Sequence, residues 1–172
     1  MKKVLCVMLP VVALSTTTAF AADGTINFTG EITSAACTVD AASANQNVAL
    51  GTVNSSVFSG VGVVAAPTKF DITLTNCDAA VTSVNVSFDG PADSNNSQLL
   101  ALDGASTAAG VGIALYEDDA TTLIPLATKS KSHSLNTGAD TTISYVAKYM
   151  ATASSVTAGS ANASTNFTVS YQ

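Results

Sequence analysis

Short runs in which apolar and polar residues alternate one for one recur along this chain, and they restrict its fold more than any other feature. From Gly24 to Ile32 the pattern has no slip. Gly24, Ile26, Phe28, Gly30 and Ile32 fall on one side, and Thr25, Asn27, Thr29 and Glu31 on the other. Lys69 to Asn76 repeats it with Phe70, Ile72 and Leu74. Val84, Val86 and Phe88 follow, closed by the turn signal Asp89-Gly90-Pro91. Val111, Ile113 and Leu115 align next, then Ile143, Tyr145, Ala147 and Tyr149 within Thr141 to Met150. Phe167, Val169 and Tyr171 alternate in a final segment, Asn162 to Gln172. A period of two places successive side chains on opposite faces of a strand with one face buried. No stretch carries an i, i+3, i+4 apolar stripe of helical length; Ala101 to Gly112 is rich in Ala and Gly but lacks one. Many short strands joined by polar turns predict an all-β sandwich, with a further short strand at Ala35 to Val39.

The N-terminus reads differently. Lys2 and Lys3, an apolar run from Val4 to Leu14 and the small-x-small triplet Ala19-Phe20-Ala21 occur in the order of a secretory signal. The run is too short to span a bilayer, and no membrane insertion of the mature chain is expected. Cleavage after Ala21 removes Cys6 and both leader lysines, leaving Cys37 and Cys77 as an even pair. In an exported protein such a pair reads as one structural disulfide, stabilising by roughly 4 kcal/mol on a chain-entropy basis.

What remains is acidic. Four Lys, no Arg and twelve Asp and Glu give the mature chain a charge of about −8. Nucleic acid and anionic membrane surfaces require clustered cations, which this chain lacks. His133 is the single histidine, and no Ser sits in a nucleophile-elbow motif, so catalysis is not expected. One His and two paired Cys cannot compose a zinc site. The acidic stretches Asp89 to Asn96 and Glu117-Asp118-Asp119 match no calcium-loop spacing and read as solvated turns, as does the His133 loop. No cofactor and no metal is expected.

Both ends of the mature chain are therefore strands, which is unusual. An opening strand tethered to Cys37 by a few residues is free to leave its domain, and a final strand at Tyr171-Gln172 has no chain left to pair on its far side. Unpaired edges template association unless something covers them. Periodicity alone leaves two alternatives open: residues 24–32 pair within their own sandwich, or with another.

Several segments, in order, carry a resemblance. GTINFTGEITSAACTVD resembles the N-terminal extension of chaperone–usher pilins, in particular type 1 fimbrial major subunits, leading into that family's first cysteine. Cys37 and Cys77 match its disulfide spacing. TISYVAKYMAT followed by TAGSANASTNFTVSYQ resembles its C-terminal signature, with Gly159 fourteenth from the end and Tyr171 penultimate. The resemblance implies a signal peptide at 1–21, a donor strand at 22–33 and a pilin domain at 34–172. It implies an incomplete immunoglobulin-like sandwich lacking its last strand, completed by a strand from a periplasmic chaperone and then from a neighbouring subunit. Gly24, Ile26, Phe28, Gly30 and Ile32 would form the inserted face. Gly159, Phe167, Val169, Tyr171 and Gln172 would belong to the motif and strand lining the groove, with the terminal carboxylate held by chaperone cations. The implied function is a structural subunit of a surface fimbria supporting adhesion. Such a subunit crosses the periplasm of a Gram-negative bacterium and polymerises at an outer-membrane usher with copies of itself or other subunits. A minor tip or adaptor subunit is the alternative.

Overall fold

Two antiparallel sheets face one another in the computed structural model, which describes residues 26–30, 36–136 and 138–172. In chain order the strands are β1 (Thr38–Val39), β2 (Val64–Thr75), β3 (Ser83–Asp89), β4 (Val111–Glu117), β5 (His133–Ser134), β6 (Thr141–Ala151) and β7 (Asn166–Tyr171). One sheet runs β1-β2-β6-β4 and the other β5-β3-β7. Among the described residues helix is confined to one turn, α1 (Ala41–Ala44), capped by Asp40, and a 3-10 turn at Ser55–Val57. The all-β sandwich is as expected.

The alternating residues define the core. β2 and β6 pair Phe70 with Tyr145 and Ile72 with Ile143. β3 and β7 pair Val84 with Tyr171, Val86 with Val169 and Phe88 with Phe167. The inward faces meet around Phe88 and Tyr145, whose rings pack edge to face at 5.2 Å, with Phe70 completing the group. A disulfide joins Cys37 to Cys77, and the Tyr171 hydroxyl donates to the Cys37 carbonyl at 3.1 Å. The start of the domain is thereby fastened to the end of its last strand.

Boundaries differ from the expectation where local chemistry intervenes. β2 begins at Val64, five residues before Lys69. Pro67 interrupts the alternation, and the ladder passes it through an irregularity between Ala65 and Thr68, with Ala66 at φ 53°. Bulges are where a strand tolerates proline. β7 begins at Asn166 and not at Asn162. Asn162 is occupied elsewhere: its carbonyl accepts from the Asp103 amide at 2.7 Å. β1 is limited to Thr38–Val39, and Ala35 lies outside the described residues. β4 is buried along its whole length, because a second apolar cluster (Leu99, Ala114, Tyr116, Val146) covers the outer face of β4 and β6.

Two expected solvated residues are not solvated. Glu117 is only 2% exposed, and His133 is half-buried on β5 with its ring 5.8 Å from that of Tyr145. One Glu117 oxygen accepts from the Lys131 amide at 2.6 Å, while the other has no hydrogen bond and lies 3.7 Å from His133 Nε2. The Glu117-Asp118-Asp119 tip is thus divided. Its first residue turns inward, Asp118 pairs with the Lys131 ammonium, and Asp119 caps the turn by accepting from the Thr121 and Thr122 amides at 2.7 Å.

Burial pushes the Tyr145 hydroxyl up to about 12 and depresses the His133 imidazolium, an effect that the Glu117 carboxylate opposes and Lys131 reinforces. A depressed histidine takes its proton more readily in the unfolded chain, so acidification through and below about pH 6.5 favours unfolding. Urea midpoints of the mature chain are expected to fall between pH 7.5 and 5.5, and the His133→Gln variant to show a flatter profile. An unchanged profile in that variant would show that His133 does not carry the dependence.

Candidate functional site

Along the free side of β7 the sandwich is open. Among the described residues β7 is hydrogen-bonded to β3 on one side and to no strand on the other. Facing it runs the segment from Gln46 to Val53, extended away from α1. Among the described residues its backbone makes no hydrogen bond. The segment is anchored only by side chains, such as the Gln46 amide donating to the Asp71 carbonyl at 3.1 Å. Between these two edges lies a groove of about 750 Å³, walled by residues 43–51 and 161–167. Its floor is the core itself: Phe70, Ile72, Phe88, Ile113, Leu115 and Ala147.

Such a groove violates the usual accounting. Backbone N–H and C=O groups flanking an apolar surface are normally paired, because leaving them unpaired is costly. Here two edges stand unpaired across a gap floored by apolar side chains. The shape and chemistry suit one occupant class, an extended strand. Its backbone would pair with β7 and with residues 46–53, and its alternate side chains would descend to the floor. Among the described residues no group of His, Cys, Asp and Glu is arranged to hold a metal ion.

The groove continues into a second cavity of about 400 Å³, bordered by Val53, Phe58, Val111, Tyr149, Val156 and Gly159. Gly159 is here a close-packing residue. A Cβ on it would lie 2.4 Å from Thr107 Oγ1 and 2.5 Å from the Ala108 amide nitrogen. Thr107 and Ser160 are cross-bonded through both backbone and hydroxyls, holding the β7 approach against the 104–110 loop. Of the other sequence-designated residues, Phe167 lines the groove, while Val169 and Tyr171 pack on the core. The Gln172 amide donates to the Ser83 carbonyl at 2.8 Å.

Residues 26–30 form no strand, contrary to the alternation, and Ile26 and Phe28 are 80% and 92% exposed. A lone strand has no partner for its backbone, so its pattern is realised only when another edge is supplied. Gly30 has no atom within 4 Å of where its side chain would begin. Gly24 and Ile32 lie outside the described residues, as does the leader. The facing wall was missed in the sequence: Val48 and Leu50 alternate, but the run is too brief between Asn45-Gln46-Asn47 and Gly51 to register as an element.

A sandwich with an empty strand position defines a class of proteins finished by a strand from outside. The particular family follows from comparison with known proteins. The fimbrial protein family model matches residues 26–172, and the chain belongs to that family. It is 41% identical to long polar fimbria protein A of Salmonella typhimurium, covering 100% of this chain and 98% of that one. Among solved structures it resembles an antigen and type I fimbria protein of Burkholderia pseudomallei, with a TM-score of 0.62 and 35% identity over 78% of this chain and 88% of that one. It also resembles the P pilus rod subunit PapA, with a TM-score of 0.67 over 79% and 99% of the two chains; at 24% identity this likeness concerns the fold. The chain is a structural subunit of a bacterial surface fimbria.

The packing at Gly159 is directly measurable. Gly159→Ala is expected to lower stability by about 1–3 kcal/mol through overpacking against the 107–108 backbone. Gly104→Ala, whose added methyl meets nothing within 4 Å, should sit near wild type. Equal denaturant midpoints for the two variants would contradict the close approach.

Proposed function

We propose that this subunit polymerises by donor-strand exchange: residues 22–33 of one copy fill the groove beside β7 of the next. The observation that supports this reading most is the pair of unpaired backbone edges facing one another over the core. The complementary object is present on the same chain. Gly24, Ile26, Phe28, Gly30 and Ile32 offer in sequence an apolar face of strand period, of which Ile26 and Phe28 are exposed. Transferring Ile26, Phe28 and Ile32 from water into a groove contributes roughly 1.5–3 kcal/mol each. Pairing of the two bare edges adds to that.

Before polymerisation the same groove would be filled by a strand of a periplasmic chaperone, with exchange at an outer-membrane usher. The groove's character supports this: a subunit carrying an open apolar trough invites premature association. The low cation count and absence of Arg give no support to a nucleic-acid partner. The role is structural and not enzymatic, in keeping with the family and with the chemistry of the groove.

The test separates donor from acceptor. A variant lacking residues 22–33 is expected to bind a synthetic peptide of residues 22–33 with one-to-one stoichiometry and a raised Tm, and to form no SDS-resistant ladders by itself. The same peptide carrying Phe28→Asp should bind at least a hundredfold more weakly. Ladders formed by the deletion variant would overturn the donor role.

A further inference from the structure

One end of the sandwich differs from the rest of the surface. There β2 enters at Val64, β4 enters at Val111, β6 leaves at Ala151 and β7 enters at Asn166. The loop before β2 is fastened to this end by Gly62 donating to the Ala151 carbonyl at 2.8 Å and Ala151 donating to that of Val63 at 2.9 Å. On it Val57 and Val61 are 48% and 68% exposed, with Val64 also exposed. Phe58, between them, turns inward to border the 400 Å³ cavity that prolongs the groove.

The segment bearing these valines carries no charge, and the aspartates of this end, Asp89, Asp93 and Asp103, lie at the end of β3 and on its connection to β4. No Asp, Glu, Lys, Arg or His occurs in residues 41–68, 104–116 or 149–172. In a chain whose acids outnumber its bases two to one, the charge-free stretch 41–68 with its exposed valines is a patch suited to being covered. Depletion of charge marks the centres of protein–protein interfaces, and clustered exposed apolar side chains mark contact sites.

We propose that this end seats the body of the next copy in the fibre, specifically its disulfide end. The inference rests on the donor-strand reading and adds where the two domains touch. Every ladder in both sheets is antiparallel. A strand added to β7 in the same, more stable sense brings its C-terminal end beside Asn166, at the valine end. From Ile32 to Cys37 is a span of five residues, at most about 17 Å when extended. The next copy's Cys37 is therefore held close to Val57, Val61 and Val64.

What lies beside Cys37 is also defined. The Ala36 carbonyl accepts from the Asp78 amide at 3.4 Å, bringing the loop between β2 and β3 alongside the tether. Asp78 Oδ1 is turned back to accept from the Ala80 amide at 2.8 Å, leaving Ala79 and Ala80 exposed at the tip. Ala79 and Ala80 would meet the valines as an apolar contact, with the exposed Asp78 beside it. A stacked contact of this kind would stiffen a fibre that the donor strand alone leaves free to bend at the tether.

A photoreactive benzoylphenylalanine placed at Val61 tests this in assembled fibres. Irradiation should yield cross-links between copies that map to residues 76–82 of the neighbour. Cross-links confined to other regions, or none between copies, would overturn the inference. In parallel, Val61→Asp is expected to keep SDS-resistant ladders while shortening the persistence length of the fibres at least twofold by electron microscopy. Unaltered stiffness would count against the seat. The two readings fail separately. Ladders formed without residues 22–33 refute the donor strand, whereas loss of those ladders with cross-links elsewhere refutes only the seat proposed here.

Discussion

The structure depends on an unmet demand for hydrogen bonds. Among the described residues β7 has a neighbour on one side only, and the segment from Gln46 to Val53 runs past its far side without a backbone bond of its own. Water can satisfy these groups while the groove is open, but it cannot also satisfy Phe70, Ile72 and Phe88 beneath them. A small ligand would cover the apolar floor and leave the edges bare. Only an extended backbone with apolar side chains on alternate positions meets both requirements.

This demand explains which features were readable from the sequence. β3, β4 and β6 follow the alternation closely because each has ladder partners within the domain, so local pattern and tertiary pairing agree. The start of β2 was hidden by Pro67, whose missing N–H breaks the local pattern while a bulge repairs the ladder. Residues 26–30 carry the pattern without the strand, since pattern specifies a face and only a partner supplies the pairing. The wall at residues 46–53 was illegible for the opposite reason: it is held by packing and side-chain anchors and has no strand period long enough to see.

The polar end of the molecule was misjudged from its composition. Glu117, read as part of a charged tip, ends β4 with its side chain inward, because the Lys131 amide and His133 lie beneath it. Sequence shows that Glu117, Asp118 and Asp119 are adjacent, but alternation along β4 sends neighbouring side chains to opposite sides. Its buried position, beside the half-buried His133 and Tyr145, makes a pH-sensitive corner separated from Phe70 and Phe88 of the groove floor by the Tyr145 ring.

Because the floor of the groove is made from core residues, assembly and folding draw on the same side chains. Phe70 and Phe88 belong at once to the aromatic group that holds the two sheets together and to the surface an incoming strand would cover. Filling the groove therefore completes a core, and does not merely join two finished surfaces. Under the proposed exchange such a link would have the energetics of a missing element of secondary structure, burying floor and edges together, and so would resist dissociation as a domain resists unfolding. A chain that filled one groove would leave its own open, a heterologous contact that builds a filament wherever the rotation between copies does not close a ring. The filament would then follow from that topology, and the strength of each joint from the core that it finishes.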